Sequence, residues 1–181
     1  MVKLFVIFFF SFFILNANAN NKEKIITNLK NVSNLSFKFE QNINGEIEIG
    51  NCTIKYPKKM YCSYEKNNKV LVSNGKSLVI KTLSSYYRYP LEKTPLNLIL
   101  DKNFLIDKIY KLNEKIVDQS YINYTIAEDD NEIDIFFDIK TFNLIGWQTK
   151  DIYQNTAVTL LYSILVNQEI KKQLFKLPAQ N

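Results

Sequence analysis

Two hydrophobic periods run along this chain, and they divide it into a helical start and a long stretch of strands. Lys22–Asn34 places Ile25, Ile26, Leu29 and Val32 at helical spacing, enough for an amphipathic helix of about three turns. From Leu35 the period changes to two, with Leu35, Phe37, Phe39, Gln41 and Ile43 alternating with polar partners. Asn44-Gly45 is a type I′ hairpin signal, because both central residues of that turn need positive φ. Glu46–Tyr56 reads as the return strand, with a bulge expected at Gly50-Asn51, where the apolar set moves from Ile47 and Ile49 to Cys52 and Ile54. Met60–Glu65, Lys69–Ser73 and Ser77–Thr82 follow, the last two separated by Asn74-Gly75.

The meander is interrupted once. Thr94-Pro95 reads as an N-cap followed by proline at the first helical position, opening a short helix through Leu96, Leu98, Ile99 and Leu100. Strands resume at Lys115–Ala127, Glu132–Ile139, Leu144–Tyr153 and Thr156–Val166, and a short element over Gln168–Leu177 ends at Pro178. About ten strands and two or three helical pieces predict a mainly β fold with α. The expected form is one highly curved antiparallel sheet with an N-terminal helix and short helices against one face.

The first nineteen residues follow another rule. Lys3 precedes the apolar runs Leu4–Phe10 and Phe12–Leu15, and Ala17-Asn18-Ala19 closes the segment. This is the layout of a secretory signal peptide, and the twelve positions Leu4–Leu15 fall short of the roughly 17–25 residues that span a bilayer. Cleavage after Ala19 is expected, leaving one domain over residues 20–181 in the periplasm. Of the 181 residues 46% are apolar; without the leader the share falls to about 42%, that of an ordinary soluble protein.

Charge and composition then narrow the chemistry. The 23 basic residues against 18 acidic ones are nearly all scattered lysines, with Arg88 the sole arginine, so a solvated surface is favoured over a nucleic-acid interface. Histidine is absent, which removes the usual general base of Ser-His-Asp and Cys-His sites and the commonest zinc ligand. The carboxylates Glu128–Asp130 and Glu132 read as a solvated hairpin turn. No catalytic site, cofactor or metal is expected, and the chain is read as a non-enzyme.

Cys52 and Cys62 lie symmetrically about Pro57. On an antiparallel hairpin they would face each other, within disulfide range, and closing so short a loop stabilises by about 3 kcal/mol on the chain-entropy model. A structural bridge is favoured over a redox pair, which normally uses C-x-x-C at a helix start. On the same strands Phe37, Phe39, Ile54, Met60, Tyr64, Leu78 and Ile80 should all point one way. Spacing alone leaves two readings level: a barrel core filled by these side chains, or an open barrel whose cavity takes a lipid.

A resemblance adds to this. The run Lys55-Tyr56-Pro57-Lys58-Lys59-Met60-Tyr61-Cys62-Ser63-Tyr64, then Val70–Ser73 with Asn74-Gly75-Lys76, then Tyr89-Pro90-Leu91 with Thr94-Pro95-Leu96, resembles the periplasmic outer-membrane lipoprotein carrier family of the Lol sorting pathway. Leu144-Ile145-Gly146-Trp147 and Leu174-Phe175-Lys176-Leu177-Pro178 agree, so the resemblance covers essentially the whole chain after the leader. It implies a half-barrel with a helical lid that accepts acylated lipoproteins from an inner-membrane ABC transporter and delivers them to an outer-membrane receptor. A monomer is expected. The implied lipid-lining set is Phe37, Phe39, Ile54, Met60, Tyr64, Leu78, Ile80 and Leu96.

Two departures from the family pattern matter. Tyr56 stands where the family has an arginine thought to fasten the lid, and a phenol offers one donor where guanidinium offers five, so at most one lid contact is expected there. Cys52 and Cys62 occupy positions that usually carry bulky apolar residues. The pathway's receptor is a less suitable match, because it would need a cysteine just after its leader. The alternative from another class is a periplasmic sensor or scaffold of the same fold that binds a protein partner or another lipid.

Overall fold

The computed structural model describes residues 20–128, 131–150 and 154–180. The expected leader therefore lies outside the described residues, as do Asp129, Asp130 and the end of the Leu144–Tyr153 run. Helix α1 spans Asn21–Asn31, capped by the Asn20 side chain on the Glu23 amide. It buries Ile25, Ile26 and Leu29, the stripe its spacing predicts.

Eleven strands follow: β1 (Asn34–Ile43), β2 (Glu46–Lys55), β3 (Lys59–Tyr64), β4 (Val70–Asn74), β5 (Ser77–Lys81), β6 (Tyr86–Pro90), β7 (Lys115–Val117), β8 (Tyr121–Glu128), β9 (Asn131–Asp138), β10 (Leu144–Lys150) and β11 (Thr156–Val166). All pair antiparallel in one sheet, ordered β6-β5-β4-β3-β2-β1-β11-β10-β9-β8-β7. β6 and β7 each have one partner, so the sheet is unclosed. Between β6 and β7 lie a 3₁₀ turn at Leu91–Lys93, helix α2 (Leu96–Ile99) and helix α3 (Lys102–Lys111).

Local chemistry explains the hairpins. Asn44 and Gly45 take φ of 51° and 90°, as a two-residue type I′ turn requires. Gly75 has φ of 98°, and the Asn74 carboxamide oxygen accepts from the Lys76 and Ser77 amides. The bulge expected at Gly50-Asn51 is absent: β1 and β2 pair without a slip from Asn34–Lys55 to Ile43–Glu46. Ile47 and Ile49 face outward, and Gly50 takes the inward position because the Phe39 ring lies over it. A Cβ at Gly50 would come within 2.8 Å of that ring and 2.2 Å of the Ser63 carbonyl.

Four further differences from the sequence reading concern elements. Lys115–Ala127 is two strands joined by a turn in which Asp118 and Gln119 take φ of 48° and 54° without any glycine. Tyr86–Pro90, where no strand was expected, pairs with β5. Gln168–Leu177 forms turns only. α3 is the largest addition: Asp101 caps it through the Phe104 amide at 3.1 Å, and Leu105 and Ile109 are fully buried. The helical cover is consequently more extensive than the sequence suggested.

One apolar cluster fills the concave face, from Leu35, Phe37 and Phe39 through both wings of the sheet to α1, α2 and α3. The opposite face is bare over β11, where Leu160 and Tyr162 are exposed, but not over β4 and β5. Val72 and Val79 face outward by register, outside the main cluster, yet are 1% and 0% exposed. The C-terminal segment reaches this wing, where Lys81 Nζ donates to the Ala179 carbonyl at 2.9 Å.

Candidate functional site

Strand register arranges the expected lining residues in three rows. Phe37 opposes Cys52, then Cys62, Leu71 and Ile80 across β1 to β5. Leu35 heads the second row, followed by Ile54, Met60, Ser73 and Leu78, while Phe39, Gly50 and Tyr64 form the third. Directly opposed residues share a face, so all seven strand residues proposed as lining stand on the concave side. Leu96, on α2, packs half-buried against the same cluster. Leu35, Leu71 and Ser73 belong to the rows as well; alternation in their own strands was the signal for them.

The rows are close-packed rather than hollow. Phe39, Ile54, Met60 and Leu78 are buried, and Phe39 meets Tyr64 edge to face with centroids 5.0 Å apart. Phe37 contacts Trp147 edge to face at 6.2 Å, joining this wing to β10. Cys52 and Cys62 are bonded as a disulfide between directly opposed positions, with Cα atoms 4.1 Å apart.

Polar contacts hold the cover at its edges. The Lys58 amide donates to the Leu100 carbonyl at 2.8 Å, and Lys58 Nζ lies 3.4 Å from the Asp101 carboxylate. Lys102 Nζ donates to the Val32 and Lys30 carbonyls at 2.8 and 3.2 Å, a cation at the C-terminal end of α1. Farther on, Lys108 of α3 pairs with Glu128 of β8, and the Asn28 carboxamide of α1 donates to the Thr141 carbonyl at 2.8 Å. These lysines carried no signal in the sequence, since scattered surface lysines look alike.

Tyr56, two residues beyond Ile54 on the same side, is buried with the core. Its ring lies 5.8 Å from Lys102 Nζ, and its hydroxyl has no hydrogen-bond partner. Burial pushes the Tyr56 phenol well above its ordinary pKa. The other inward hydroxyls are engaged: Ser73 Oγ donates to the Lys58 carbonyl at 2.7 Å, and Tyr124 Oη donates to Glu114 at 3.3 Å. Among the described residues no three Cys, Asp or Glu side chains gather as metal ligands.

An unclosed antiparallel sheet with an apolar concave face under short, separately fastened helices defines a half-barrel binding fold. The chain belongs to the outer membrane lipoprotein carrier protein LolA family, whose model matches residues 30–178. No curated protein sequence matches the chain significantly. Among solved structures, an uncharacterised conserved protein from Thermus thermophilus is 7% identical with a TM-score of 0.51, over 88% of this chain and 95% of that one. A LolA superfamily protein from Nitrosomonas europaea is 7% identical with a TM-score of 0.44, over 87% and 98%. A putative outer membrane lipoprotein-sorting protein domain from Vibrio parahaemolyticus is 8% identical with a TM-score of 0.46, over 87% and 97%.

Proposed function

We propose that this protein is an exported carrier of lipoproteins. In this reading the leader is cleaved after Ala19, and residues 20–181 act as one periplasmic domain. That domain accepts acyl chains from an inner-membrane ABC transporter, shields them on the concave face, and gives them up to an outer-membrane receptor. The steps are binding and release, so no catalytic residue, cofactor or metal takes part. The observation that carries it is a continuous apolar face whose cover is fastened at its rim by a few polar contacts, in a chain of a lipoprotein-carrier family.

Magnitudes make the cycle reversible. A sixteen-carbon acyl chain has about fourteen methylenes, worth roughly 11 kcal/mol on burial at ~0.8 kcal/mol each. Lifting the cover exposes Leu91, Ile99, Leu100, Leu105 and Ile109, each fully buried in the closed state. At ~2 kcal/mol apiece that costs about 10 kcal/mol. One acyl chain thus roughly offsets opening, and a second supplies net affinity. Three chains buried in full would give about 33 kcal/mol, beyond the ceiling near 20 kcal/mol for non-covalent binding, unless opening opposes them.

The test is calorimetric titration of the purified protein with peptides carrying one or two sixteen-carbon chains. The two-chain peptide should bind at least a hundredfold more tightly, with lining variants such as Met60→Glu or Leu78→Glu abolishing the heat. Failure of the folded protein to bind either peptide, with capture of a protein partner instead, would establish the scaffold reading.

A further inference from the structure

An acyl chain is not wholly apolar: its head carries one ester or amide carbonyl. Drawn under a closed cover, that oxygen loses water and needs a donor. The described residues contain two buried side-chain polar atoms without a hydrogen-bond partner, Tyr56 Oη and Asn123 Oδ1. Asn123 opposes Phe136 and alternates with the inward Ile122 and Tyr124, so it stands on the convex face. Tyr56 Oη is therefore the unengaged polar group of the concave side, and it is a donor.

Its surroundings match the task. Tyr56 is 9% exposed and follows Ile54 by two residues, just beyond the end of β2. The groups that could otherwise meet a carbonyl nearby are committed: Lys102 Nζ to two carbonyls of the α1 end, Ser73 Oγ to the Lys58 carbonyl. Burial also keeps the phenol protonated, so it remains a donor throughout the physiological range.

We propose that the Tyr56 hydroxyl is the hydrogen-bond donor for the ester or amide carbonyl at the head of a bound acyl chain. This rests on the carrier reading above. A lone buried donor in the closed protein and a lone buried acceptor in the cargo each carry a desolvation penalty, and pairing them removes both. The same phenol that loses water when the cover closes on an empty face thus favours closure on a loaded one.

The experiment compares Tyr56→Phe with the parent protein, using two peptides whose N-terminal cysteine bears a glyceryl group with two sixteen-carbon chains and whose α-amine is free. One carries the chains through esters, the other through ethers, which lack the carbonyls. Tyr56→Phe should weaken the ester peptide about tenfold, the worth of one net hydrogen bond, and leave the ether peptide within twofold. Urea unfolding of the cargo-free variant should show stability equal to or above that of the parent. Equal loss for both peptides, no loss for either, or a less stable cargo-free variant would overturn the assignment. The parent protein binding neither peptide would overturn the carrier reading itself, a result distinct from all of these.

Discussion

The two wings of the sheet bury phenols in opposite ways. In the β8–β9 wing, Tyr124 is sealed among Ile122, Ile126, Ile133, Ile135 and Phe137, and its hydroxyl donates to Glu114, which also accepts from the Asn21 carboxamide at 2.9 Å. In the β2–β5 wing, Tyr56 is buried without a partner, in an apolar cluster that here includes a disulfide, a methionine and the half-buried Tyr64 and Ile80. On its concave side, and among the described residues, the first wing has the features of a finished core: branched aliphatic side chains with no buried polar side-chain atom left unpaired, its one orphan, Asn123 Oδ1, lying on the convex face. The second leaves one polar group unsatisfied and uses adaptable side chains, which suits a surface that exchanges its own cover for a ligand. The cover is fastened to this second wing by Lys58, on the β2–β3 turn, through the Asp101 carboxylate and the Leu100 carbonyl.

Removing the disulfide should have the largest effect on this contrast. A Cys52→Ser, Cys62→Ser protein should lose about 3 kcal/mol in urea unfolding, from loop closure over a sequence separation of ten. The loss should appear as loosening of β2 and β3 in amide exchange while β8 and β9 keep their protection. Equal loosening of both wings would mean that they are one cooperative unit. Tyr124→Phe comes next. It removes a buried bond to a carboxylate and should cost about 1.5 kcal/mol, whereas Tyr56→Phe should cost nothing. If the two variants unfold alike, the difference between the wings is not energetic.

Much of this was legible beforehand. The shared inward face of Phe37, Phe39, Ile54, Met60, Tyr64, Leu78 and Ile80 followed from period-two alternation, and the opposition of Cys52 and Cys62 followed from their symmetry about Pro57. What escaped notice did so for local reasons. α3 follows α2 with only Leu100 and Asp101 between them, so the pattern of Leu105 and Ile109 merged with the helix before it, although Asp101 marks a cap. β6 is a nearly continuous aromatic edge strand, with no alternation to read. The turn between β7 and β8 places positive φ on Asp118 and Gln119, where a glycine would have announced it. Gly50 suggested a bulge, but it records the room needed by the Phe39 ring. The orphan hydroxyl of Tyr56 depends on which groups surround it, which spacing does not specify.

The smallest effect concerns the turn that anchors α1 to the β8–β10 side. Asp138 accepts from the Lys140 and Thr141 amides at 3.0 and 2.6 Å, and these bonds, chiefly that of Thr141, hold its carboxyl below the usual carboxylate pKa. A depressed folded-state pKa stabilises above the unfolded value and is lost as pH falls through the folded one. Asp138→Asn should therefore be slightly less stable at pH 7, and the gap should narrow as pH falls below the ordinary carboxylate value of 3.8 and close below the lower folded-state pKa. A gap that persists at low pH would place the effect in geometry rather than charge. Since the turn lies away from the β2–β5 wing, ligand binding should be unchanged.

In the proposed carrier, the β2–β5 wing opens to acyl chains while the β8–β9 wing stays shut. Photocrosslinking tests it directly, with a photoreactive residue at Met60 in one protein and at Ile135 in another, each mixed with a two-chain acyl peptide. Met60 is 3% and Ile135 0% exposed in the closed state, so static accessibility does not favour either. A crosslink from Met60 and none from Ile135 is the predicted result; crosslinks from both alike, or from neither when the peptide is bound, would contradict it.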